Sequence, residues 1–149
     1  MKPSHFILMP DRRPRALNVA GTEVTVLAAT AETRSYGITL QRGEEGTGPP
    51  PHSHDWDEAF YVLSGNIEFL CDGQIQACPP GTLVHIRRGT VHGFRYGKGG
   101  GQMLEITGAN ALAIQMFAAV DQAIPAGTPD IPKLLEVLEQ NGVAVVGSA

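Results

Sequence analysis

With 149 residues, 42% of them hydrophobic and 17% charged, the chain has the size and balance of one ordinary folded domain, which excludes a disordered polar segment. Its net charge of −4 supplies no positive field to gather phosphates, so nucleic acid is excluded as a partner and a small molecule is expected. The only N-terminal apolar run, Phe6-Ile7-Leu8-Met9, stops at Pro10, too short for a signal core or a membrane span.

In chain order, short runs rich in β-branched and aromatic residues alternate with Gly and Pro, the punctuation of many short strands. The spacing predicts strands over Arg15 to Val19, Glu23 to Ala29, Ser35 to Arg42, Glu58 to Ser64, Asn66 to Cys71, Gln74 to Cys78, Leu83 to Arg87, Gly93 to Tyr96 and Gln102 to Thr107. Connections this tight leave no room for crossover helices. The sheet is therefore expected to be antiparallel and closed as a sandwich or barrel, with a core over about 15–108. Gly97 to Gly101 reads as a flexible hairpin tip. Asp72-Gly73 reads as a two-residue hairpin turn that sets Cys71 opposite Gln74 and Cys78 opposite Ile67. That register keeps the two cysteines apart, so buried free thiols and a cytoplasmic location are expected. From about residue 110 onward a helical extension is expected, with helices over Asn110 to Ile124 and Asp130 to Gly142. In the second, Ile131, Leu134, Leu135 and Leu138 mark the apolar face, Asp130 the N-cap and Gly142 the stop.

The informative segment is Gly46 to Gly65, GTGPPPHSHDWDEAFYVLSG. On an extended chain side chains alternate between faces, so His52 and His54 project to one side, about 7 Å apart. Pro49, Pro50 and Pro51 bend the approach, which lets Glu58 return to the same interior from the next strand. His92 has to be brought in by closure of the sheet. Three imidazoles and one carboxylate suit a single divalent transition metal ion, Fe, Mn, Co, Ni, Cu or Zn, with a position left for a ligand.

The run Gly46, five residues, His52, one residue, His54, three residues, Glu58, six residues, Gly65 resembles the first motif of the cupin family at every fixed position. A second stretch, Gly81, five residues, Arg87-Arg88-Gly89, two residues, His92, three residues, Tyr96, resembles the second motif but departs from it at Arg87 and Tyr96. The resemblance implies an all-β antiparallel cupin, or jelly-roll, barrel with a metal on His52, His54, Glu58 and His92. It also implies a homodimer and an enzyme similar to quercetin dioxygenase, acting on a flavonol, diketone or aromatic substrate, with Glu58 able to act as a base. A metal-dependent cyclase, isomerase or decarboxylase, and a non-catalytic cupin that binds a small ligand, are the alternatives. Phe60, Phe69, Phe94 and Trp56 are candidates for the pocket wall or the core. Arg87 and its neighbour Arg88 are candidates for gripping a substrate carboxylate or phenolate at the mouth, or else for a salt bridge at the barrel rim. His85 has no assignable face, and Arg12, Arg13 and Arg15 read as a solvated cluster.

Overall fold

Strand β5 (Glu58–Cys71) and strand β8 (His92–Gly108) pair antiparallel from Glu58 opposite Thr107 to Cys71 opposite His92, and this long ribbon organises the molecule. In the computed structural model, which describes residues 4–147, the ribbon runs through two sheets and joins them. Along its Glu58 end, β5 takes β7 (Leu83–Ile86) on its free edge and β8 takes β3 (Tyr36–Gly43), followed by β2 (Thr22–Ala28) and β1 (Leu17–Val19). Along its Cys71 end, β5 takes β6 (Gln74–Cys78), while β8 takes β4 (His52–His54) and then β9 (Val143–Val145). All these pairings are antiparallel, and the whole curls into a half-barrel with a few short helices.

The bend in the ribbon corrects two sequence expectations. β5 is one strand and not two, because Gly65 does not end it but lets it turn from one sheet into the other, with register shifts on either side. Gly97 to Gly101 is not a hairpin tip: it lies inside β8, where Gly101 pairs with both Gly43 and Gly65. Only glycine fits at the crossing, since Gly65 has φ +76° and an added Cβ would stand 2.1 Å from the Gly100 carbonyl oxygen. Gly65→Ala is therefore expected to cost roughly 2–4 kcal/mol through strain and overpacking, read as a lower urea midpoint. A midpoint within error of the wild type would show that the bend tolerates a side chain. The Asp72-Gly73 turn forms as expected, with φ +51° and +81°, and the hairpin register sets Cys71 against Gln74 and Cys78 against Ile67, both thiols free.

Two helices follow β8, α2 (Ala113–Ala123) and α3 (Ile131–Gln140); a single helical turn, α1 (Thr30–Thr33), lies earlier. Asp130 caps α3, its side chain accepting from the Lys133 amide at 3.2 Å. The buried face of α3 differs from the expected one: Ile131 is exposed, and Val137 goes in beside Leu134 and Leu138. Ile131 lies in the first turn, where the helix has not yet reached the barrel. The extension is also not helical to its end, because the residues after α3 return as β9 and pair with β4, the strand that carries two of the histidines. α2 buries Met116, Phe117 and Val120 against Val24, Trp56 and Val143, each worth about 1.5–3 kcal/mol when fully covered. Arg15 is not merely solvated: its guanidinium donates to Asp121 on α2 at 2.7 Å, and the Asn18 amide donates to the same carboxylate at 2.8 Å. No helix among the described residues is long and apolar enough to cross a membrane.

Candidate metal centre

The four residues expected at one point do meet there. Alternation along β4 turns the His52 and His54 rings to one side, and the β4–β8 register sets His52 directly opposite His92. Glu58, the first residue of β5, comes up between them, with its Oε1 3.1 Å from His54 Nε2 and 2.7 Å from His92 Nε2. One ligand atom from each of the four residues lies within 4.8 Å of the others, close to the spread of donors held ~2.0–2.2 Å from a single ion. His54, Glu58 and His92 are buried, and His52 is half-buried at the cavity wall.

The outer hydrogen bonds fix which nitrogen faces inward. Nδ1 of His52, His54 and His92 each lies 2.8–3.0 Å from a carbonyl oxygen, those of Pro50, Trp56 and Thr90. A carbonyl only accepts, so each Nδ1 carries the hydrogen and each Nε2 presents a lone pair to the centre. Two such lone pairs therefore point at an ionised carboxylate, an arrangement of acceptors that needs a cation among them. Burial alone would raise the Glu58 pKa, but a hydrogen on Nε2 of His54 or His92, where no metal takes its place, donates to the carboxylate, outweighs burial and holds the carboxyl far below its usual range. Burial, with His92 alongside, lowers the His52 pKa to about 4, so the His52 ring is neutral and offers its Nε2 lone pair to the centre. The residues fit a transition metal in one site.

The His52 shift has a measurable consequence in metal-free protein. The folded ring stays neutral where the unfolded chain takes up a proton, so its stabilising contribution is complete above pH 6.5 and is lost as the pH falls from 6.5 towards 4. The loss is at most about 3 kcal/mol. Chelator-treated protein is expected to drop by roughly 6–12 °C in Tm over that interval, in addition to any fall shared with His52→Gln. Equal slopes for the two proteins would remove His52 as the cause.

The turn that departs from the family pattern holds this arrangement in place. Asp57 Oδ1 accepts from the Arg88 amide at 2.8 Å, and the Gly89 amide donates to the His54 carbonyl at 2.9 Å. Arg88 and Asp57 form the rim ion pair, at 3.8 Å. Arg87 is exposed and does not line the cavity, so its expected grip on substrate is corrected: it sits in the outer turn, where its carbonyl accepts from Thr90. His85 likewise faces outward. Tyr96, the other departure, is buried with its ring against Gly43.

The centre lies in the wall of a cavity of about 830 Å³, counted with its open mouth. Phe60, Phe94 and Trp56 line it as expected, whereas Phe69 is one layer back in the core, 5.4 and 5.6 Å from the rings of Phe60 and Phe94. Trp56 serves as wall and core together, its indole stacked 4.1 Å from the His54 ring at 7°. The far wall comes from Met116, Phe117, Leu134, Leu138 and Val143, so the C-terminal helices and β9 complete the chamber.

The sequence reading missed a polar strip on the inner face of β3 and β8. Glu105 is 3% exposed, lines the cavity with Gln41 and accepts from Thr39 Oγ1 at 3.1 Å. Burial raises its pKa well above the ordinary value, and the ionised Glu58 within hydrogen-bonding reach pushes it the same way, which favours the protonated form of Glu105 beside the cluster. The available signal was the alternation Thr39, Gln41 and Glu105, Thr107, which a rule of apolar residues inward assigns to the wrong face.

Fold and centre together define a β-barrel protein with a cluster of three histidines and one carboxylate that could hold a metal ion. Residues 39–106 match the model of the cupin domain family, and the chain has the cupin fold. The structure is similar to KdgF from Halomonas sp., with 16% identity and a TM-score of 0.67 over 74% of this chain and 99% of that one. It is also similar to an RmlC-like cupin from Shewanella frigidimarina, at 16% identity and a TM-score of 0.63 over 73% and 95% of the chains. A third likeness is to the polyketide cyclase RemF from Streptomyces resistomycificus, at 24% identity and a TM-score of 0.58 over 74% and 80%. Comparison with the curated proteins gives no match.

Proposed function

We propose that the protein is a metal-dependent enzyme acting on a largely apolar small molecule that carries an enolate or phenolate oxygen, such as a flavonol, a diketone or an aromatic polyketide. The observation that carries this reading is the placement of the His52, His54, Glu58 and His92 cluster at a largely apolar chamber, whose wall takes in His52, His54 and Glu58 along with Gln41 and Glu105. A metal held there polarises an oxygen brought to it and lowers the energy of negative charge on that oxygen. The chain's own part is to hold the imidazoles by their Nδ1 hydrogen bonds, to exclude water with Phe60, Phe94 and Phe117, and to orient a flat ligand along Trp56.

Oxygenation of such a substrate is the first reading. Cyclisation, isomerisation or decarboxylation is the second, and a specific observation favours it: Glu105 places another carboxyl group in the chamber, where it can pass a proton to a bound molecule. Incubation of Fe-, Ni- and Zn-loaded protein with a panel of these substrates tests both, with oxygen uptake and product mass as readouts. Under the first reading oxygen is consumed with Fe or Ni. Under the second, product forms without oxygen uptake, and Glu105→Gln slows turnover at least ~10-fold at unchanged metal content. Spectral evidence of ligand at the metal with no product from any substrate would leave a binding protein instead.

A further inference from the structure

The strand that carries two of the histidines is held on one edge by very little. β4 is three residues long, and its ladder with β8 consists of the single pair His52 and His92. On its other edge β9 pairs along its whole length, with His52 opposite Val145, Ser53 opposite Ala144 and His54 opposite Val143. The Val146 amide continues that ladder by donating to the Pro51 carbonyl at 2.9 Å. Hydrogen-bonded and non-hydrogen-bonded pairs alternate in an antiparallel ladder, so Ser53 and Ala144 form the next hydrogen-bonded pair. Pro51 and Ser53, on either side of His52, are thus tied by their backbones to β9.

The pairs between are of the non-hydrogen-bonded kind, which brings facing side chains closest. Val145 therefore stands beside His52 and Val143 beside His54, and both valines line the chamber with the two rings. Val143 is 4% exposed and belongs to the same buried cluster as Trp56, whose indole stacks on His54. Ala144, between the valines, is exposed. Gly142, at φ +81°, turns the chain from α3 into β9. β9 is nevertheless an edge strand of three residues, the kind of element that opens locally at low cost.

We infer that β9 is a positioning element of the metal centre: the backbone pair of Ser53 and Ala144 fixes how His52 and His54 are presented towards Glu58 and His92, so metal binding and docking of β9 are coupled. The inference rests on the four-residue cluster holding a metal and on no particular reaction. Coupling of this kind is reciprocal. Release of β9 frees Pro51 and Ser53 and loosens two of the four ligands, and an ion held by both imidazoles keeps in place the edge on which β9 docks. Since Val143 and Val145 are also chamber wall, one strand sets the ligands and closes the chamber together.

Ala144→Pro tests this in the full chain, because it removes the amide of the pair at a site where the side chain is exposed. Ala144→Val keeps the amide. Ni(II) affinity, measured by competition with a chelator, is expected to fall ~10-fold or more in the proline variant, the scale on which loss of an outer partner acts, and to be restored in the valine variant. The Cu(II) electron paramagnetic resonance spectrum should change in the proline variant alone, since two ligands have moved, while circular dichroism stays the same for all three chains. Hydrogen exchange of the wild-type chain is the second measurement. The amides of Ser53, Ala144 and Val146 should slow ~10-fold or more when Ni(II) saturates the protein, and those of β6, which has no residue in the chamber wall, should not. Unchanged Ni(II) affinity in Ala144→Pro overturns the inference, as does an equal loss in Ala144→Val. If the proline variant does not fold, exchange decides: slowing at the three amides no greater than in β6 overturns the inference. A wild-type chain that takes up no Ni(II), Cu(II) or Zn(II) removes the metal centre itself, and this inference with it.

Discussion

Replacing His92 by alanine is expected to empty the metal centre, lowering affinity by more than ~100-fold, beyond what loss of an outer hydrogen-bonding partner costs. His92 is 1% exposed, and its Nε2 is the donor atom nearest to Glu58, at 2.7 Å. Its removal takes a ligand away and strands a buried carboxylate, a loss of about 3–5 kcal/mol when one member of a buried pair is deleted. Without His92 only His54 is left to hold the Glu58 pKa down against burial, so the carboxyl moves upward. His52→Ala should lose the metal with a smaller fall in stability, because His52 is half-buried and makes no hydrogen bond to Glu58 among those described. Elemental analysis after dialysis against equal free metal reads the first effect, and denaturant unfolding of the chelated proteins reads the second. One ion per chain retained by His92→Ala would mean that the four residues are not the ligands.

The ligands were legible because they depend on local rules. A period of two turns His52 and His54 together, and the fixed spacing to Glu58 and Gly65 is a property of the chain itself. His92 was legible only through the family resemblance, since no local rule links residue 92 to residue 52; the β4–β8 pairing does so. The Asp72-Gly73 turn and the Asp130 cap were readable for the same reason as the histidine pair, their chemistry being contained within four residues.

The errors share a different cause. Gly65 and Gly97 to Gly101 are strand breakers when each is taken alone, and become bend points when two long strands must turn together from one sheet into another. Ile131 satisfied helical periodicity without a wall to pack against, while Val137 had one. Glu105 and Gln41 escaped notice because the cavity reverses the meaning of alternation on β3 and β8. A chamber with a polar strip takes polar residues inward, which leaves Leu40, Leu104 and Ile106 outward. One inversion thus explains both the missed site residue and the apolar outer face.

Trp56→Ala is expected to cost about 3–5 kcal/mol, the ordinary range for removing a large buried aromatic residue, with a fall of roughly 10 °C or more in Tm. The residue is 6% exposed and belongs to the cluster formed with Val24, Met116, Phe117 and Val143, so no neighbour can relax into its volume without drawing α2 off the barrel. Its ring also braces His54 by stacking, and its carbonyl fixes the His54 tautomer. Alanine keeps that carbonyl, so metal binding should weaken without vanishing, unlike in His92→Ala. Trp56→Phe separates volume from polarity. The indole Nε1 is buried with no hydrogen-bond partner among the described residues, so phenylalanine restores most of the contact without that unmatched donor and should fall within about 1.5 kcal/mol of the wild type. As the chain's single tryptophan, Trp56 also reports on the site: Cu(II) or Ni(II) bound beside His54 should quench its fluorescence at one ion per chain. Undiminished emission at saturation, or an alanine variant as stable as the wild type, would separate Trp56 from the centre it is here said to support.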